Sequence, residues 1–139
     1  MTAPPGAHAP RLVLREDEVP WKVMAELPGG HPKDGGRARR IVHPETNGDP
    51  GAPFFIGIYE MEAGEYHPRH NHPTGWEFYY VLSGSGDFTV GDERVDGAPG
   101  LAVYLPPGTS HSVRARERLR VLYGFSPPDR SRVGHVWEE

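Results

Sequence analysis

The sequence predicts an all-β fold, a sandwich or barrel of short antiparallel strands. From Phe54 to Phe125, short runs rich in β-branched and aromatic residues recur at near-regular spacing, bounded by Gly, Pro, Asn or Asp. No segment shows the sustained 3.6-residue apolar period of a long helix. A length of 139 residues suits one domain that can bury its own core.

The first part of the chain has few clear elements. Residues 1–10, rich in Pro and Ala, are expected to form a loose tail before a single domain of residues 11–139. The run "RLVLRE" from Arg11 is a candidate strand, whereas "VPWKVMAEL" from Val19 is compatible with a strand or one helical turn. The segment "PGGHPKDGGRARR" is expected to be a loop with a solvated basic end at residues 37–40. After it, "RIVHP" is expected as a short strand and "ETNGDPGAP" as a turn-rich connection.

From residue 52 to about residue 126 the pattern indicates the core of the barrel. Strands are expected in "FFIGIYEM", "YHPRHNHP", "WEFYYVLSG", "SGDFTVG", "DERVDG", "LAVYLPPG", "SHSVRARE" and "RLRVLYGF". The strand "WEFYYVLSG" is apolar on both faces apart from Glu77, which predicts a central strand covered on both sides. An ionised Glu77 there needs a partner, because an unpaired buried charge is very unfavourable.

Composition excludes several classes of protein. The chain has no cysteine, which excludes a disulfide framework, a thiolate metal site and a thiol nucleophile. A net charge of −4 and a pI near 6 are not those of a nucleic-acid-binding protein. No signal peptide is apparent, and no apolar stretch approaches the roughly 20 residues of a membrane span. We therefore expect a cytoplasmic protein that binds neither nucleic acid nor membranes.

Titratable side chains concentrate in "HPRHNHPTGWE", residues 67–77. His70 and His72 are two residues apart, so on a strand both rings lie on one face, within about 7 Å along the chain. The intervening "PTG" allows a bend that brings Glu77 beside them. His111, which follows the tight turn "LPPGTS", can supply a further nitrogen. Imidazole nitrogens and a carboxylate oxygen form a suitable ligand set for a divalent transition metal.

The same residues carry a family resemblance over residues 64–115. A glycine, a His-x-His pair, a glutamate and a second glycine follow one another at the spacing of the first cupin motif. They are Gly64, His70, His72, Glu77 and Gly84. The second motif is matched by Gly100, Pro106, Gly108 and His111, with Ala115 where that motif has Asn. The sequence thus resembles the cupin superfamily. The resemblance implies a double-stranded β-helix, or jelly-roll, barrel holding one metal ion through His70, His72, Glu77 and His111.

The resemblance also implies an enzyme that acts on a small organic molecule. An Fe(II)-type oxygenase or dioxygenase is the first hypothesis, although Mn, Ni, Zn and Cu accept the same ligands. The second hypothesis is a non-redox cyclase, isomerase or lyase, such as the cyclase-like cupins of aromatic polyketide pathways in secondary metabolism. The third is a metal-containing binding module without turnover. A homodimer is expected, with the strand near Leu12 and the segment "VGHVWEE", including Trp137, as interface pieces.

Strand alternation predicts the walls of a substrate pocket. Tyr79 shares a face with Glu77, so its phenol is either a proton donor or acceptor beside the metal or a core residue with a satisfied hydroxyl. His67 and Arg69 are expected at the rim or surface, and His135 is expected to have no role at the site. Further wall candidates are Tyr59, Phe88, Val90, Tyr104 and Tyr123.

Overall fold

The computed structural model describes residues 9–128 and 134–139, and nearly all of the regular structure in them is β-strand. The strands are β1 (Lys22–Val23), β2 (Arg37–Val42), β3 (Phe55–Met61), β4 (Tyr66–Asn71), β5 (Trp76–Ser83), β6 (Gly86–Val90), β7 (Glu93–Gly97), β8 (Ala102–Leu105), β9 (His111–Ala115), β10 (Leu119–Ser126) and β11 (Val136–Trp137). One sheet has the order β1-β2-β3-β10-β5-β8 and the other the order β11-β4-β9-β6-β7. The predicted jelly-roll fold is confirmed.

The two sheets bury their inward residues in a common core. Alternate residues of a strand point to opposite faces, so each strand contributes every second side chain. Phe55 and Leu119 of the six-stranded sheet are almost completely buried and share one cluster with Phe88 and Val113 of the other sheet. The core therefore has the β-sandwich pattern that the alternation predicts.

The outer face of β5 is exposed in the single chain. This strand lies between β10 and β8, so its predicted position inside a sheet is correct. The predicted burial of both faces is wrong, because only its inward residues are covered. The outward residues, each between 36% and 49% exposed, are Trp76, Phe78, Tyr80 and Leu82.

The N-terminal part differs from the prediction in several places. "RLVLRE" forms no strand, and its last residue begins a 3-10 turn at Glu16–Glu18. The undecided segment from Val19 contains both alternatives, the short strand β1 followed by a 3-10 turn at Met24–Glu26. The turn-rich connection contains the one-turn helix α1 (Pro44–Asn47). Of the predicted tail, residues 1–8 lie outside the described residues.

Residues 37–40 are the first part of β2 and not a solvated loop. Arg37 and Arg39 pair with acidic groups from distant parts of the chain, and Arg40 pairs with a nearby glutamate. Arg37 donates to Glu60 over 3.0 Å, and Arg39 donates to Glu16 over 2.9 Å. Arg40 bonds Glu45 over 3.2 Å. The long-range ion pairs of Arg37 and Arg39 cannot be seen in the local composition, which resembles that of an exposed basic loop.

Glu60 is the centre of the largest ion-pair network on this sheet. Its side chain is 4% exposed and accepts from Arg37, Arg118 and Arg120. Burial alone would raise the pKa of Glu60, but the hydrogen bonds from Arg118, Arg37 and Arg120 outweigh it and lower the pKa to about 2. The carboxylate is thus stabilised in its ionised form.

Replacing Glu60 by Gln is expected to lower the free energy of unfolding by about 1–2 kcal/mol at pH 7, since the partly exposed arginines weaken each pair. The folded-state pKa is depressed, so this contribution is present above the ordinary pKa of 4.5 and is lost as pH falls toward about 2. Urea unfolding of wild type and Glu60→Gln, at pH values of about 7, 4 and 3, measures the difference in the free energy of unfolding. A difference that stays constant over this range would contradict the assignment.

No helix in residues 9–128 and 134–139 is long and apolar enough to cross a membrane.

Candidate metal centre

The structure brings together the four side chains that the sequence predicts as ligands. Their candidate ligand atoms all lie within 4.8 Å of one another. All four residues are buried, with 5% exposure or less. They are His70, His72, Glu77 and His111.

Both sheets contribute to this cluster. His70 on β4 lies directly opposite His111 on β9, and their ring centroids are 4.2 Å apart. An irregularity in the β4–β9 register between His67 and His70 changes the direction of the side chains that follow it. Glu77 reaches the same point from β5 of the other sheet. The centre therefore lies between the sheets, with His72 just beyond the end of β4.

Backbone carbonyls fix the orientation of all three imidazoles. In each ring Nδ1 lies 2.7 to 2.9 Å from a carbonyl oxygen. A carbonyl oxygen only accepts, so Nδ1 carries the hydrogen and Nε2 keeps its lone pair. The pairs are His70 with Pro68, His72 with Gly134, and His111 with Thr109. A partner on the second ring nitrogen is the usual support of a metal-binding histidine.

The atoms that face one another fit a cation between them. Oε1 of Glu77 lies 2.8 Å from Nε2 of His111 and 3.4 Å from Nε2 of His72. Among the described residues, Glu77 Oε1 and His111 Nε2 are fully buried without a hydrogen bond of acceptable geometry. Buried lone pairs that face each other are unfavourable unless a positive group satisfies both. The donor set thus suits one divalent metal ion.

The protonation states agree with this interpretation. Burial, followed by repulsion from His67 and His111, lowers the pKa of His70 well below its ordinary value. Burial would raise the pKa of Glu77, but His72 and His111 outweigh it and hold that pKa well below the usual range. A neutral imidazole and an ionised carboxylate are the forms that bind metals.

A cavity of about 630 Å³ lies beside the cluster, with His70, His72 and Glu77 in its wall. Six Phe and Tyr side chains also line it, namely Phe55, Tyr59, Tyr79, Phe88, Tyr123 and Phe125. Three of the predicted wall residues, Tyr59, Phe88 and Tyr123, do line it. The prediction for Tyr104 is wrong. Tyr104 is 68% exposed because Val103 and Leu105 take the inward positions of β8. Val90 is not among the lining residues either.

Comparison with known proteins identifies the family. The Cupin domain family matches residues 57–124. An uncharacterized protein of Streptomyces coelicolor is 40% identical over 75 residues, which are 53% of this chain and 70% of that protein. The chain belongs to the cupin superfamily.

Two further similarities cover more of this cupin. The tetracenomycin polyketide synthase protein TcmJ of Streptomyces glaucescens is 29% identical over 117 residues, 82% of this chain and 76% of that protein. The crystal structure of a predicted oxalate decarboxylase from Thermotoga maritima superposes with a TM-score of 0.68 at 20% identity, covering 83% of this chain and 98% of that one. At this identity the structural likeness shows a common fold.

Tyr79 of this cupin lies next to the metal cluster. It is buried, and its ring is 5.7 Å from that of His111. Burial, and then the charge of Glu77, raise the pKa of Tyr79 well above its ordinary value. The phenol therefore keeps its proton. Its position fits the predicted role of proton donor, and that role stays a prediction.

His67 lies inside the cupin barrel and not at the rim or surface. It is 6% exposed, and its ring lies 4.6 Å from that of His70. Nδ1 is 2.8 Å from Oδ2 of Asp34, a residue that sequence reasoning did not single out. Asp34 comes 33 residues earlier, in a loop whose composition gives no signal of a site.

The C-terminal segment covers the metal cluster of the cupin. β11 pairs with β4, and the ring of His135 stacks parallel on that of His70 at 4.5 Å. Trp137, expected at a subunit interface, packs within its own chain at 5.0 Å from the ring of His70 and donates to Gly29. The expectation that His135 has no place at the site is therefore wrong.

Proposed function

We propose that this cupin is a mononuclear-metal enzyme that acts on a small, mainly apolar aromatic or polyketide-like molecule, and that its reaction is oxygenation. The observation that supports the proposal is the position of the cluster. The four buried ligand residues form one cluster, and three of them, His70, His72 and Glu77, lie in the wall of a cavity of about 630 Å³ that Phe and Tyr side chains also line. Such a cavity has the size and lining of a small-molecule site.

The cavity lining supports an aromatic substrate. Phe55 and Phe125 form a stacked pair with centroids 4.7 Å apart, and Tyr123 packs on Phe55 at 5.0 Å. Arg40 and Glu45 also line the cavity, but they pair with each other over 3.2 Å. Their opposite charges do not favour a highly charged ligand. The similarity to a protein of a polyketide synthase points to the same substrate class.

The residues of the centre have distinct roles in this proposal. His70, His72, Glu77 and His111 would hold the ion, and Fe(II) in such a site supplies the chemistry of oxygen activation. The apolar rings exclude water and orient the substrate toward the cluster. Tyr79 keeps its proton at Oη, beside Glu77, where it can donate to an oxygen of the substrate that gains negative charge.

A non-redox reaction is the second candidate. The ligand set also accepts Zn(II), which would polarise a carbonyl for ring closure, isomerisation or elimination. The similarity to a polyketide synthase protein favours this candidate. A barrel filled by side chains, without a cavity, would favour a binding module without turnover. The large cavity beside the cluster supports an enzyme instead.

The oxygenase proposal is tested by metal analysis and oxygen uptake. We expect iron in protein purified without added metal, and oxygen consumption with hydroxylated naphthalenes or anthrones by the Fe(II)-loaded protein. Zn(II)-loaded protein is the matched control and is expected to consume none. Turnover that persists after strict exclusion of oxygen, or equally with Zn(II), would refute oxygenation and support the second candidate.

A further inference from the structure

A second group of buried polar side chains lies beside the metal cluster. Asp34 is 4% exposed, and its Oδ2 is 2.8 Å from Nδ1 of His67. Its Oδ1 accepts from the hydroxyl of Tyr59 over 2.8 Å and from the backbone N–H of Gly36 over 3.0 Å. The carboxylate of Asp34 is therefore held on both oxygens, and it holds the ring of His67 in one orientation.

This contact determines which atom His67 offers to the cavity. An ionised carboxylate only accepts, so Nδ1 of His67 is the donor. With Nδ1–H committed to Asp34, Nε2 is the ring nitrogen that, in the neutral form of the side chain, accepts a hydrogen bond. No protein partner of Nε2 is found among the described residues, and His67 lines the cavity. Nε2 is thus a polar atom of a cavity-lining residue whose ring is 4.6 Å from that of His70.

We infer that His67 determines substrate specificity by accepting, through Nε2, a hydrogen bond from a hydroxyl group of the substrate. The inference rests on the proposed function for the aromatic character of the substrate. The hydrogen bond narrows the substrate class to phenols and enols. These molecules combine an apolar skeleton with a hydroxyl group, which is the donor that a single acceptor in the cavity would bind. Asp34 and Tyr59 act as positioning residues that keep Nδ1 occupied.

A purely structural role is the alternative. The Asp34–His67 bond also ties the loop before β2 to β4, so an alanine variant could lose the fold together with the contact. His67→Asn separates the two roles. The shorter amide can still donate to Asp34 from the position of Nδ1, but it has no atom at the position of Nε2.

Binding of two matched probes to the Zn(II)-loaded protein tests the inference. The probes are 2-naphthol and 2-methoxynaphthalene, which differ in the hydroxyl hydrogen. We expect wild type to bind 2-naphthol about tenfold more tightly, the effect of one buried hydrogen bond. His67→Asn is expected to bind both probes equally, with unchanged zinc content and thermal midpoint. Asp87→Asn, an exposed aspartate on β6, is the control and keeps the preference.

Several outcomes would overturn the inference. His67→Asn could keep both full zinc content and the preference for 2-naphthol, in which case the preference arises elsewhere, for example from the metal. Wild type could bind neither probe. If His67→Asn fails to fold or loses zinc, long-range ¹H–¹⁵N NMR of wild type decides the question. A proton on Nε2 of His67 overturns the inference. A proton on Nδ1, together with a change in the Nε2 chemical shift when 2-naphthol is added, supports it. None of these measurements involves turnover, so failure of the oxygenase proposal is recognised separately.

Discussion

Replacement of His111 by Ala is expected to weaken metal binding by at least about 100-fold while the barrel still folds. Loss of a residue that only supports a ligand typically weakens metal binding 10- to 100-fold, so loss of a ligand itself should have at least the larger effect. Nε2 of His111 is the nitrogen nearest to Oε1 of Glu77, at 2.8 Å. His72→Ala is expected to behave in the same way. Elemental analysis after purification and competition with a chelator measure the change.

His43→Ala is the control for these two variants. His43 precedes α1 and lies outside the cluster of four, so its replacement should leave metal content unchanged. Thermal unfolding in the presence of EDTA shows whether the metal-free barrels of His111→Ala and wild type have comparable stability. Full metal occupancy in both His72→Ala and His111→Ala would show that the ligand assignment is incorrect.

Removal of the C-terminal segment is expected to weaken metal binding by about 10- to 100-fold, the range for loss of supporting contacts. A chain that ends at Pro128 lacks the carbonyl of Gly134, which lies 2.7 Å from Nδ1 of His72. It also lacks His135, which stacks on His70. The remaining His72 ring can rotate and take either tautomer, so Nε2 is no longer held toward the other ligands.

The matched control for this truncation is Glu138→Gln, which keeps the segment and its backbone contacts. Chelator competition on the truncated chain, on Glu138→Gln and on wild type gives three affinities under one condition. Glu138→Gln is expected to match wild type. A truncated chain that binds metal as tightly as wild type would show that the segment covers the cluster without supporting it.

Much of the fold and the metal cluster could be predicted because the relevant signals are local. Strand alternation assigns Glu77 and Tyr79 to one inward face, and His70 and His72 are separated by a single residue. The bend between His72 and Glu77 is also predicted by consecutive residues of the sequence. Even His111, far along the chain, is marked by its position directly after a tight turn.

Most of the site features that the sequence did not predict depend on contacts between distant segments. Asp34 meets His67 from a loop 33 residues away, and Gly134 meets His72 over 62 residues. Residues 37–40 form a strand because they pair with β3 and with distant acidic groups. The outer face of β5, predicted to be buried, is exposed. A run of apolar residues does not show whether the chain itself covers one face of a strand or both.

The division of the ligands between two sheets links metal binding to folding. Three histidines belong to one sheet or its immediate end, and Glu77 belongs to the other. An ion held by both joins segments that are otherwise held together by side-chain packing. By mass action, a ligand at 100 times its Kd adds about 2.7 kcal/mol to the free energy of unfolding. In a chain without cysteine, the ion would thus serve as a removable cross-link. The thermal stability of the protein would then vary with the metal supply of the cell.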